Sequence, residues 1–192
     1  MTKYLNCAET AALVRAALKE SFSDVKFSVR SHVYSGGASI NVSWTDGPNT
    51  KQVEAVAGVF SGSYFDGMTD FKGSTFAMIS GEVVRFGADF IFCNRNFSDS
   101  FIERCISAVF SKYAGNLRGV TRPSVQDFRT GQLGYQQIDG LGNWTLRDMI
   151  YQQFAKRSDR IQGEKSKTAA QVIYLGNDGY SDVGALDMGD AA

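Results

Sequence analysis

Between Val25 and Trp44 the chain alternates strictly between apolar and polar residues, and this constrains its fold more than any other feature. Val25, Phe27 and Val29 take one side, with Lys26, Ser28 and Arg30 on the other. After the loop His32–Gly37 the pattern resumes, with Ala38, Ile40, Val42 and Trp44 opposite Ser39, Asn41 and Ser43. Successive strand side chains point to opposite faces, so a period of two over this length predicts a β-hairpin with one buried and one wet face. The buried face needs a second layer to cover it. Hydrophobic residues make up 43% of the chain, with 14 Phe and 8 Tyr, enough to build that layer.

Helices flank the hairpin. Asn6 caps the first, with Glu9 three residues on as its reciprocal partner, and Leu13, Val14, Ala17 and Leu18 form its apolar stripe. Asn49 or Thr50 caps a second, with Val53, Val56, Ala57 and Phe60 on its apolar face. Residues 62–73 are rich in glycine, aromatics and acids and read as a loop. Residues 76–79, 83–86 and 88–94 read as two or three strands, in which Phe90 and Phe92 share a face. A third helix begins near Ser98 or Ser100. The expected fold class is α+β: an antiparallel sheet of about four strands in the order α-β-β-α-β-β-α, helices packed on one face, followed by a C-terminal arm with one helix.

The expected boundaries are a compact domain over 1–113, a linker or extended arm over 114–143, a helix over 144–162 and a mobile acidic tail over 163–192. Thr145 and Asp148 cap the arm's helix. Lys and Arg total 20, as do Asp and Glu, so no global charge points to an acidic partner. The neutral total conceals a basic arm. Arg118, Arg122, Arg129, Arg147, Lys156, Arg157, Arg160, Lys165 and Lys167 are interleaved with Tyr135, Trp144, Tyr151 and Phe154, and an acidic tail follows. Such an arm suits a nucleic-acid backbone or an acidic protein surface, or simply packs on the domain with its charges in water.

Three irregularly spaced cysteines argue against a disulfide framework. No stretch reaches the roughly 18 apolar residues that a membrane span needs, and no secretion signal is read at the start, so a cytoplasmic protein with no membrane partner is expected. The sequence sets no oligomeric state.

Catalytic patterns are missing. There is no G-x-S-x-G elbow, no Walker loop and no dinucleotide fingerprint, so no cofactor and no catalytic residue is expected. A single histidine, His32, excludes the histidine-rich metal sites. A Cys93–His32 pair is the one nucleophilic arrangement available, but Cys93 and Cys105 read as packing residues. Asp66 and Asp70 share a loop without the spacing of a calcium site, so no metal is expected. The same loop, with Tyr64, is a candidate partner surface. Asp46-Gly47-Pro48 reads as a turn. Lys26 and Arg30 are candidate phosphate contacts on the hairpin's wet face. That face carries no aromatic of its own, since Phe27 and Trp44 fall on the buried side, so solvation is its expected state.

Residues Tyr4 to about Phe110 resemble the large polyvalent protein-associated domain family, the type numbered twenty-nine. The resemblance is carried by the Ala-Glu-Thr of the first helix, Lys26 to Ser31, Tyr34 to Ile40, Val42 to Pro48, Gln52-Val53, Phe65 to Asp70 and Ala88 to Arg95. Such domains are similar to parts of polyvalent proteins of phages and conjugative elements. The resemblance implies a setting in which incoming DNA is helped against host defences, and it transfers no catalytic residue. The expectation is therefore a non-catalytic inhibitor that occupies a host defence complex of CRISPR or restriction type. The alternatives are a nucleic-acid-binding accessory for incoming DNA, or an enzyme with an unfamiliar site.

Overall fold

The alternating stretch forms the hairpin it predicts, but the first strand begins at Ser28 and takes in His32, Val33 and Tyr34 of the expected loop. The computed structural model describes residues 2–68, 70–131, 133, 137–158 and 163–178. In it, β2 (Ser28–Tyr34) and β3 (Gly37–Thr45) pair antiparallel, with Val29 opposite Val42, Arg30 opposite Asn41 and His32 opposite Ser39. Before them come β1 (Lys3–Leu5) and α1 (Cys7–Ser21). After them come α2 (Thr50–Ala57), a 3-10 turn at Gly58–Phe60, β4 (Ser63–Asp66), β5 (Phe71–Ile79), β6 (Glu82–Phe86) and β7 (Phe90–Asn96). The rest is α3 (Asp99–Lys112), α4 (Val125–Arg129), α5 (Leu146–Lys156), α6 (Lys167–Ala170) and β8 (Val172–Asn177).

The class is α+β, with eight strands in two sheets and six helices among the described residues. The expected single sheet of about four strands is replaced by two. One has the order β2-β3-β7. The other runs β1-β6-β5-β4, with β8 also paired to β5. Three strands lay outside the expectation. β1 is three residues long and pairs parallel with β6. β4 lies in the expected 62–73 loop, where it pairs antiparallel with β5. β8 lies in the expected tail.

The contacts divide the chain into two units: 1–44, 50–94 and 161–192 in the first; 45–49 and 95–160 in the second. The expected boundary near Ala114 is therefore displaced. In the first unit, Val14, Ala17 and Leu18 of α1 share a core with Ile40, Val42 and Trp44 of β3, Val53 of α2 and Phe60. The capping box at the head of α1 forms as read: Glu9 N donates to Asn6 Oδ1 at 3.0 Å and Asn6 N to Glu9 Oε2 at 2.7 Å. Residues 163–178 belong to this unit. Glu20 receives Ser166 Oγ at 2.7 Å, Thr168 N at 2.9 Å and Thr168 Oγ1 at 2.8 Å, and β8 follows antiparallel to β5.

In the second unit, Ile102, Cys105, Ile106 and Val109 of α3 pack with Leu117, Phe128, Leu133, Ile138, Leu146, Ile150 and Phe154. The stretch expected as a linker thus supplies core residues, because its scattered apolar side chains meet the apolar face of α3. Thr145 and Asp148 form the capping box of α5. No helix among the described residues is long and apolar enough to cross a membrane.

Candidate functional site

Strand alternation fixes what each face of the three-stranded sheet carries. Ala38, Ile40, Val42 and Trp44 are buried in the first core, and Ile91 and Cys93 of β7 pack against the same core. The opposite face therefore presents Ser28, Arg30, His32 and Tyr34 from β2, Asn41 and Ser43 from β3, and Phe90, Phe92 and Asn94 from β7, with Ser39 on the same side but buried. Lys26, just before β2, is exposed and continues the row. None of these residues is acidic. The wet face, expected to carry no aromatic of its own, has Tyr34 because β2 runs on through Tyr34, and β7 adds Phe90 and Phe92. Phe92 is 50% exposed and Tyr34 43%. The Phe90 and Phe92 ring centroids lie 6.2 Å apart at 31°, and the His32 and Tyr34 rings 5.8 Å apart.

One end of this face is built around Asp89. Its carboxylate accepts Ala38 N at 3.0 Å and Ser63 Oγ at 2.9 Å, and pairs with Lys72 Nζ at 2.7 Å. Burial pushes this carboxyl up, but the Lys72, Ala38 and Ser63 hydrogen bonds outweigh it and hold the group below its ordinary value. The Lys72 ammonium sits 5.8 Å from the centre of the Phe90 ring.

The sequence candidates fall in several places. Lys26 and Arg30 are exposed on the sheet face. Tyr64 lies half-buried in β4, and a Cβ at Gly73 would stand 2.3 Å from its Cε1. Burial, then the nearby Asp178 and Asp66, raises its phenol. Asp66 Oδ1 accepts Met68 N at 2.9 Å, and Asp70 has a φ of 51°, so both shape the turn between β4 and β5. In the second unit, Arg122 pairs with Glu103 and donates to Ser107 Oγ at 2.6 Å. Arg129 donates to Asp99 at 2.6 and 2.9 Å and to Phe97 O at 3.0 Å. Arg147 stacks over Tyr151 at 5.4 Å. Trp144, just before the N-cap Thr145, and Tyr151, four residues after Arg147 on α5, are half-exposed. Arg118 is exposed, and Arg157 donates through Nε to Gln153 Oε1 at 3.1 Å. Arg160 and Tyr135 lie outside the described residues.

The thiols are held protonated. Burial pushes Cys93 up to about 11, with Glu54 adding to the rise, and burial also carries Cys105 to about 11. Cys93 faces the core and His32 the opposite side of the sheet, so the fold separates the one Cys–His pair. Among the described residues no three His, Cys, Asp or Glu side chains gather as metal ligands would.

Sequence reasoning missed Phe90 and Phe92 as parts of this surface. Their shared face was legible, but their placement beside the first hairpin is a non-local pairing. A period-two reading does show that β7 is apolar on both sides, Phe90 and Phe92 against Ile91 and Cys93, although only one side meets the core.

No curated protein and no solved structure matches the chain. The family model described as Large polyvalent protein associated domain 29 matches residues 5–98, from the end of β1 to the N-cap of α3, and this part of the chain is a domain of that family.

Proposed function

We propose that the open face of the β2-β3-β7 sheet binds nucleic acid, and that the protein is a non-catalytic accessory of a mobile element acting on incoming DNA or on a transcript. The observation that carries this reading is the composition of that face. Lys26 and Arg30 edge it, hydroxyls and amides of Ser28, Asn41, Ser43 and Asn94 line it, and the carboxylate at its end, Asp89, is paired with Lys72. Phosphates bind cations and hydroxyls, and each neutralised phosphate releases counterions. Affinity measured by fluorescence anisotropy at rising salt tests it. With two cations in contact, the log–log salt slope of a single-stranded probe should flatten by roughly 1.4 in a Lys26→Gln/Arg30→Gln variant. Unchanged affinity and slope in that variant would contradict the assignment.

A second reading, that of an inhibitor of a host defence complex, rests on the β4–β5 turn. Met68 is 95% exposed and Phe65 56%, beside Asp66 and Asp70. A protein partner would take these apolar tips. Failure of every nucleic-acid titration at low salt would leave this reading in place.

A further inference from the structure

We infer that the nucleic acid taken by this sheet is single-stranded, with unpaired bases stacked on Phe92 and Phe90 and the sugar-phosphate chain running toward Arg30 and Lys26. The inference rests on the reading above and adds the form of the ligand.

Three observations support it. The first is exposure. Phe92 sits on the strand of a well-packed sheet yet leaves half its surface in water. Its neighbours in the strand, Ile91 and Cys93, go to the core, so burying Phe92 is not needed to complete that core. The second is geometry. Phe90 and Phe92 lie two residues apart on one face, with ring centroids 6.2 Å apart and planes 31° from parallel, so the two aromatics adjoin one another. The Lys72 ammonium, paired with Asp89, lies 5.8 Å from the centre of the Phe90 ring and sets a cation beside the aromatics.

The third is the division of the face across its strands. Strands lie about 4.8 Å apart, so the aromatic strand β7 and the cationic strand β2 are separated by about 10 Å, with the polar row of β3 between them. Bases over β7 leave the sugars above Asn41 and Ser43 and bring phosphates within reach of Arg30. The long Arg and Lys side chains cover the remaining distance.

A duplex cannot use these rings. Its base faces are occupied by stacking within the helix, and only phosphates and groove edges are presented. Stacking on side chains is sequence-tolerant, since every base has a π-face. Binding should therefore vary little between homopolymers, apart from the usual differences in stacking strength.

The test compares dye-labelled twelve-nucleotide single strands with the matching duplex by anisotropy at constant low salt, using the full chain. Single strand should bind at least tenfold more tightly than duplex. Phe92→Ala should lose about tenfold or more on single strand and little on duplex. Phe92→Tyr should stay within about twofold of the parent. Phe92→Leu, which keeps an apolar side chain but has no ring, should behave like Phe92→Ala, and this guards against a folding defect as the cause. Equal affinity for the two forms, or single-strand binding unmoved by Phe92→Ala and Phe92→Leu, would overturn the inference while leaving nucleic-acid binding intact. Absence of binding to either form would overturn both.

Discussion

Arg95 explains at residue scale why the Asp46-Gly47-Pro48 turn holds its shape. Asp46 and Gly47 have φ values of 55° and 57°, a region that L-residues seldom enter, with Asp among the more tolerant. Arg95 Nε donates to Asp46 O at 2.7 Å and Nη2 to Gly47 O at 2.9 Å. Its Nη1 donates to Phe154 O at 3.0 Å and Arg157 O at 2.8 Å, which meets the last carbonyls of α5. The guanidinium lies over Phe101 at 4.7 Å and Phe97 at 5.3 Å. Asp46 in turn accepts Ser98 N at 2.9 Å and Ser98 Oγ at 2.6 Å at the head of α3. A planar fork makes these contacts together, and an ammonium does not. Arg95→Lys is expected to destabilise the second unit by about 2–3 kcal/mol, nearly as much as Arg95→Ala, in urea unfolding. Equal stability of Arg95→Lys and the parent would refute this account. The turn was legible in the sequence, but the arginine that holds it was not, because Arg95 lies 48 and 49 residues away along the chain from the carbonyls it grips.

At the scale of elements, most local signals are legible in the sequence and the non-local ones are not. Of the three capping boxes among the described residues, Asn6 with Glu9 and Thr145 with Asp148 are read from the sequence, whereas Ser124 with Asp127, also three apart, heads the five-residue α4 that no apolar stripe announces. The β2–β3 hairpin is equally local. By contrast, β1 has no pattern to recognise at three residues and exists because β6 offers it an edge. β8 did carry a signal, the β-favouring run Val172-Ile173-Tyr174-Leu175, which the acidic composition around it concealed. Docking of its leading helix depends on Glu20. Hydrogen bonds from Thr168 N, Ser166 Oγ and Thr168 Oγ1 take this carboxyl from its ordinary 4.5 down to about 2. A lowered carboxyl stabilises the folded form above its unfolded value and loses that contribution as pH falls. The contribution is thus complete above about pH 5 and fades toward pH 2. Carbon-13 titration of the Glu20 carboxyl should show a midpoint near 2, and Thr168→Val should move it upward. An ordinary midpoint in the parent protein would show that the clasp does not form in solution.

For the whole molecule, the central claim concerns a surface rather than a cleft. The basic arm looked like the better place for a partner, yet several of its cations are engaged within the second unit: Arg122 with Glu103, Arg129 with Asp99 and Arg147 with Tyr151. Exposed ion pairs of this kind add little stability, but they reduce the charge available to phosphates. The hairpin face reads as merely wet from the sequence because Phe27 and Trp44 fall on the buried side and Tyr34 falls in the expected loop. It changes character when a third strand from fifty residues further on sets Phe90 and Phe92 beside it. Amide chemical-shift mapping during titration with a short single-stranded oligonucleotide at low salt tests this directly. The account predicts that the largest shifts fall on Ser28–Tyr34, Gly37–Thr45 and residues 90–94. Shifts confined to the Trp144–Tyr151 side of α5 or to the β4–β5 turn, or no shifts at all, would contradict it.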